Sequence, residues 1–352
     1  MSGGSGSTVG GSAGSGAGTT GTGGAAGSVG TGGSAGTGVT CGPSPAAANQ
    51  ILGFAMQGGT TTGGGNASPE TVSSGGDLEN AVSGDSAKVV QFSGNLSGTL
   101  DVGSNTTLEG VGASATISGG ISLDGVQNVI LRNFRVTGSG ANGDAIGIQD
   151  SSHIWLDHLE IMDADDGLLD ITNGSDYITV SWTKFRYSGT GDHNFAVLIA
   201  SDDNDSGSYR ITFHHNWWGQ FSSERMPRVR FGDVHVFNNY YGTGTQTPLN
   251  NDHCVRAAYQ SSVLVQGNYF DRVVTPHEVA EDNGSGVMTA PKCTGTTSAG
   301  GPANCNIENQ SFNQDSNPSE QGTAFSPPYD YQGAIEPADC VMANVMSGAG
   351  PH

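Results

Sequence analysis

Positive charge is what this 352-residue chain has least of: 12 Lys and Arg stand against 33 Asp and Glu, a net charge of −21. A surface so negative repels a phosphate backbone, which excludes nucleic-acid binding as the main activity. No window of about 20 apolar residues occurs, so no membrane-spanning helix is expected. The start also lacks the apolar stretch of a signal peptide, and Met1 stands directly before a linker, as it would after trimming of a natural N-terminus. Cysteine is sparse: Cys41, Cys254, Cys293, Cys305 and Cys340, with no C-x-x-C pair to suggest zinc. Cys293 and Cys305 sit in Gly/Thr/Asn-rich sequence where a disulfide would pin a loop. The acidic, Lys-poor composition suits a secreted protein and favours disulfides over buried thiols. The odd count leaves one thiol unassigned.

Glycine, by contrast, is abundant, with 58 residues. Residues 1–40 contain, after Met1, only Gly, Ser, Thr, Ala and Val, and 17 of them are Gly. Such a segment buries almost nothing and cannot offset its ordering entropy. It reads as a disordered tether spanning about 35 Å root-mean-square. Its deletion is expected to leave activity and melting temperature unchanged; a loss of several degrees on differential scanning calorimetry would show that it packs on the rest. Residues 41–352 then form one catalytic-sized domain.

Within that domain one template recurs six times: apolar, any, apolar, then four residues, then apolar. The copies are VILRNFRV from Val129, IWLDHLEI from Ile154, ITVSWTKF from Ile178, ITFHHNWW from Ile211, VHVFNNYY from Val234 and VLVQGNYF from Val263. Their first and third positions alternate as in a strand and are mostly β-branched. Asn216, Asn239 and Asn268 share the sixth position, as expected for a hydrogen-bonded ladder between stacked coils. Repeats of 23 to 33 residues that bury their faces on their neighbours define a solenoid of parallel strands. A β-sandwich competes, but would show two-residue hairpins and 8–12-residue spacing.

The most specific run is R-x-P-x-x-R-F-G-x-x-H-x-x-N-N, from Arg225 to Asn239. With GDAIGIQDSSHIWLDH (143–158), DGLLDITNGSDYITVSWTKF (166–185) and ITFHHNWW (211–218), it resembles the pectate lyases of polysaccharide lyase family one. Weaker likenesses extend the match over most of residues 48–350. The resemblance implies an all-β fold, a right-handed single-stranded parallel β-helix. It also implies calcium-dependent β-elimination of polygalacturonate to 4,5-unsaturated oligogalacturonates. In that chemistry a base removes the C5 proton while a cation neutralises the adjacent uronate carboxylate, and calcium suits the task through its hard oxygen ligands.

By the same resemblance the metal ligands are Asp144, Asp166 and Asp170. Asn142 stands where some relatives carry a further acid, so a second, substrate-bridging ion is less well supported. Extended backbone would hold the Asp166 and Asp170 Cα atoms about 13 Å apart, so a bend at Gly167 is expected. An acidic run is otherwise a solvated turn. The arginines answer the charge problem: a chain that repels polyanions needs a local cationic site, and Arg225, Arg228 and Arg230 fall within six residues. The resemblance makes Arg225 the proton-abstracting base and Arg230 a ligand of a substrate carboxylate. Arg228 is as well placed for a surface role as for substrate. A free arginine holds its proton at ordinary pH, so an alkaline optimum would follow.

One position departs from the pattern. Phe195 in DHNFAVLIA stands where the family often has a substrate-binding lysine. His193 and Asn194 are its polar neighbours and candidate substrate ligands; Lys184 and Arg186 are weaker substitutes, expected to face solvent elsewhere. His214, His215 and His235 read as satisfied core or ladder histidines rather than a zinc site. Three rival functions remain: a pectin lyase on methyl-esterified substrate, which needs no calcium; a hydrolytic polygalacturonase, which would leave the arginines idle; and a non-catalytic polyuronate-binding β-helix. A secreted monomer with polygalacturonate or pectin as its substrate partner is expected.

Overall fold

The computed structural model describes residues 40–46, 50–245, Thr247, Leu249, 251–273, 275–279, 286–290, 294–295, 303–304, 320–321 and 323–352. The predicted tether, apart from Thr40, lies outside the described residues, as do Cys293 and Cys305 with the disulfide expected there. Residues 40–352 form one compact unit.

That unit is a parallel β-helix. Three sheets run its length, of eleven, eight and eight strands among the described residues, and each strand pairs with its counterpart one coil away. The template explains the first two walls. Its first and third residues point inward from the eleven-stranded sheet: Val129, Ile154, Ile178, Ile211, Val234 and Val263 fall in one register. Its eighth residue points inward from an eight-stranded sheet, where Phe185, Trp218, Tyr241 and Phe270 stack with centroids 4.4, 5.8 and 4.3 Å apart. All are fully buried, as apolar area removed from water at about 25 cal/mol per Å² requires of a core built one coil at a time.

The fifth template position makes the corner. Asn133, His158, Trp182, His215, Asn238 and Gly267 all take positive φ, between 48 and 63°. One left-handed residue turns the chain from one sheet into the next. The side chains at this corner stack as well: Trp182 lies between His158 and His215, at 5.9 and 4.6 Å. Beside the corner runs the asparagine ladder. The Asn239 backbone N–H and amide donate to Asn268 Oδ1 at 2.7 and 2.9 Å, Asn216 does the same to Asn239 Oδ1 at 2.9 Å, and Thr183 N–H donates to Asn216 Oδ1 at 2.9 Å. These bonds satisfy buried backbone donors that would otherwise cost about 1–3 kcal/mol each.

His214, His215 and His235 are buried in this framework. His235 bonds Gln266 and Tyr329, and His215 meets Glu336 at 3.2 Å. Burial holds all three below the usual histidine range, so they serve as neutral wedges in the wall. The helix Gly75–Val82, capped by Ser74 accepting from the Asp77 N–H, buries Leu78 and Val82 over the first coils. The helix Ala338–Gly348 covers Tyr240 through Val341 and Val345, and a Cys41–Cys340 disulfide joins it to the start of the domain. Cys254 is a buried free thiol.

Candidate functional site

The third wall carries the chemistry. Its strands include Ile121–Asp124, Ile146–Gln149, Gly167–Thr172, Phe195–Ile199, Arg228–Val229, Val255–Ala257 and His277–Val279. Alternation sends Ile171, Ile199, Val229 and Ala257 into the core. The opposite face shows one row in register: Ser122, Gly147, Asp170, Leu198, Arg228, Arg256 and Glu278. Coils stack about 4.8 Å apart, so Asp170 and Arg228, two coils apart, are about 10 Å from each other along the wall. A second row, Gly167, Phe195 and Glu224, runs beside it.

Two of the three predicted acidic ligands, Asp144 and Asp170, converge on Gly167, and Asp166 is exposed beside them, tied to the same turn through its backbone. Asp144 Oδ1 accepts the Gly167 N–H at 3.1 Å, and the Asp166 N–H donates to the Gly143 carbonyl at 2.9 Å. A Cβ on Gly167 would lie 2.6 Å from Asp170 Oδ1 and 3.1 Å from Asp144 Oδ1. The bend falls on Asp165 and Asp166 instead, and Gly167 opens its strand without a left-handed φ. Its contribution is the missing side chain, which lets two carboxylates sit over the backbone. Gly167→Ala is therefore expected to fold, because the clash falls on the end of an aspartate side chain. It should displace both carboxylates and weaken calcium binding at least about tenfold; unaltered affinity by isothermal calorimetry would refute this. Asn142 is exposed in the preceding turn.

Electrostatically the trio is poorly neutralised. Burial, then the Asp144 and Asp166 charges, push the Asp170 carboxyl up to about 7, against the pull of Arg225. Burial likewise pushes Asp144 up to about 6, opposed by its bond from Gly167. Asp170 Oδ1 is buried without a hydrogen-bond partner. An orphaned anionic oxygen among other carboxylates, in an all-oxygen set, fits a hard divalent cation.

The arginine loop reaches the same wall. Arg225 takes φ +62°; its N–H donates to His253 Nε2 at 3.3 Å and its carbonyl accepts the Val197 N–H at 2.6 Å. Its guanidinium lies 3.9 Å over the Phe195 ring, and its Nε is buried with no hydrogen-bond partner. Arg228 stands in the outward row next to Arg256, a cation the sequence reading did not single out. Arg230 is committed to the loop beside it, with Nε 3.3 Å from Asp203 and Nη1 donating to the Ala200 and Ser201 carbonyls.

The other predicted substrate ligands divide. His193 is exposed and leans on Phe195, with ring centroids 5.0 Å apart. Asn194 is buried, and its amide donates to the Gly189 and Phe221 carbonyls at 2.8 Å each. The structure therefore gives both of its amide N–H groups a loop to hold and leaves the amide oxygen for a ligand. Lys184 and Arg186 lie on another sheet around Glu160. Two supports escaped the sequence reading. The buried Tyr187 hydroxyl lies 3.1 Å from the Asp166 carbonyl and 2.9 Å from that of Phe195, bracing both coils. Glu224, Asp252 and His253 bring ligand atoms within 4.8 Å of one another and could hold a metal ion. Burial and the Arg256 charge pull His253 down to about 4, so its neutral ring accepts the Arg225 N–H. An imidazole in the set suits calcium less well than the all-carboxylate trio does.

Comparisons with known proteins agree with this fold. A family model described as pectate lyase matches residues 34–352. Pectate lyase A of Emericella nidulans is 39% identical over 238 residues, 63% of this chain and 69% of its own. A probable pectate lyase A of Aspergillus niger is 36% identical over 300 residues, 81% of this chain and 83% of its own. Among solved structures, the Bacillus sp. N165 pectate lyase in complex with trigalacturonate superposes with a TM-score of 0.67 at 24% identity, covering 86% of this chain and 99% of its own.

Proposed function

The chain belongs to the pectate lyase family and is a polysaccharide lyase that degrades pectate; from that premise we propose that it cleaves de-esterified polygalacturonate by calcium-dependent β-elimination, with Arg225 as the base. The observation that supports this reading is a pair of unpartnered groups on one wall: the Asp170 Oδ1 and the Arg225 Nε. Folded proteins rarely leave such atoms buried and unpaired unless a ligand completes them.

Asp144, Asp166 and Asp170 would hold the calcium ion, which when bound supplies positive charge against a uronate carboxylate. Arg228, with Arg256 beside it in register, would take a second carboxylate along the wall, where a planar guanidinium can bind both oxygens. Arg230 would add its Nη2, since Asp203 and two carbonyls already take Nε and Nη1. His193, exposed at the rim, would meet a sugar hydroxyl. Arg225 would accept the C5 proton. The C5–H electron pair becomes the C4=C5 double bond, and the C4–O bond leaves with its pair on the departing oxygen, which takes up a proton. His253 fixes the Arg225 backbone through a neutral ring nitrogen, and the Phe195 ring lies under the guanidinium.

A place outside the cell and action as a monomer complete the proposal. The Cys41–Cys340 disulfide supports the first, and among the described residues no helix is long and apolar enough to cross a membrane. One assay tests the activity: ultraviolet absorbance of the new double bond on polygalacturonate, with and without a chelator. Absorbance lost on chelation and restored by calcium is expected. Cleavage without absorbance would mean hydrolysis, chelator-resistant absorbance on methyl-esterified pectin a pectin lyase, and binding without cleavage a carbohydrate-binding β-helix.

A further inference from the structure

The ring of Phe195 lies in the coil between the carboxylates and the arginine loop. Phe195 pairs with Gly167 on one side and Glu224 on the other. Its strand therefore lies between the coil that carries Asp166 and Asp170 and the coil that carries Arg225. That guanidinium is close enough for its charge to lower both Asp144 and Asp170. Yet among the described residues no carboxylate pairs with it, and Asp170 Oδ1 stays without a partner as well. Two half-buried groups of opposite charge thus lie near one another without pairing. The face of Phe195, at 3.9 Å, is the contact seen for the Arg225 side chain.

We propose that Phe195 is a positioning residue for Arg225: its ring carries the guanidinium over the groove floor and keeps it from collapsing onto the carboxylates. The choice of a ring has a physical reason. A cation over an aromatic face is attracted through the ring's quadrupole, perpendicular to the guanidinium plane. All five N–H groups lie in that plane, so the contact consumes none of them. A carboxylate partner would take two donors and draw the group away from the groove; an aliphatic side chain would fill the space without holding the guanidinium. The Tyr187 hydroxyl against the Phe195 carbonyl anchors the residue in turn. The inference rests on the reading of Arg225 as the base.

The test is Phe195→Leu, with Phe195→Tyr as the conservative control and Phe195→Met replacing Leu should that variant not fold. On polygalacturonate at saturating calcium, kcat should fall about tenfold in Phe195→Leu, within the range a cation–π contact allows. KM should stay within about twofold, and Phe195→Tyr should recover most of the turnover. A second readout is independent of catalysis. The Arg225 Nε–H resonance, identified by its loss in Arg225→Lys, should be shifted by the ring current in wild type and move in Phe195→Leu. A normal kcat in Phe195→Leu beside an inactive Arg225→Lys overturns the proposal and leaves the proposed function standing. Near-normal turnover in Arg225→Lys overturns the base assignment instead. The resonance then decides for Phe195: if it does not move the contact is refuted, and if it moves the contact is upheld.

Discussion

Arg225→Lys is expected to lose at least about a hundredfold in turnover, the usual scale of general-base catalysis, while substrate binding changes little. Lysine keeps the positive charge but replaces a planar fork with a point charge on a flexible stem. An electrostatic clamp would tolerate that exchange; proton abstraction would not, because distance to C5 decides whether transfer occurs. The structure sharpens the contrast. The Arg225 backbone is fixed from both sides, by His253 Nε2 on its N–H and by Val197 on its carbonyl, so the substitution changes the side chain and little else. An ammonium group also cannot lay a plane on Phe195. Arg230→Lys is the counter-experiment. Its Nε and Nη1 are spent on Asp203 and two loop carbonyls, so it should chiefly raise KM. The measurements are steady-state elimination on polygalacturonate at saturating calcium and calorimetric binding of a non-cleaved oligogalacturonate. Near-normal turnover in Arg225→Lys would leave the loop as a clamp for polyanions.

The coil was legible from the sequence because its core repeats at fixed template positions. The residues at positions one, three and eight are the ones that stack in register, and Asn216, Asn239 and Asn268 do form the ladder. The corner was not legible. Left-handed backbone at the fifth position falls on Asn133, His158, Trp182, His215, Asn238 and Gly267, and the types share no single local signal: Gly and Asn favour a positive φ, His tolerates it and Trp does not advertise it. Tertiary stacking of His158, Trp182 and His215 overrides local preference there. In the wall that carries the site, residue types were readable but contacts were not. Asp144 and Asp170 lie 26 residues apart in sequence and meet only through coil stacking; nothing local shows that Gly167 serves through its missing Cβ rather than through a bend. Arg256 and His253 went unseen because their neighbours in space, Arg228 and Arg225, are a full coil away in sequence. Asn194 shows a second role that sequence does not reveal: the N–H groups of its amide close a loop.

Asp170→Ala should weaken calcium binding at least about tenfold and cut turnover, with partial rescue by excess calcium. Asp170 is the member of the trio with the buried, unpartnered oxygen, so removing it takes away the group that most requires a cation. A second consequence follows from its titration and has the opposite sign. Asp144 and Asp170 sit at about 6 and about 7 in the folded protein, above the ordinary aspartate value near 4. Their neutral forms are favoured by folding. The stability this confers is fully present below the unfolded value and is lost as the pH rises through about 6 and 7. Metal-free wild type should therefore lose melting temperature across that window, and metal-free Asp170→Ala should lose less. Calcium should reverse the order, because an ion that binds only the folded state stabilises wild type more than a variant that binds it weakly. Calorimetric melting at about pH 5 and pH 8, with chelator and then with calcium, reads both effects on the same samples. A general packing defect in Asp170→Ala would lower stability in all four conditions alike. If calcium dependence and the pH slope both match wild type, Asp170 is not a ligand, and Glu224, Asp252 and His253 become the set to test for the metal.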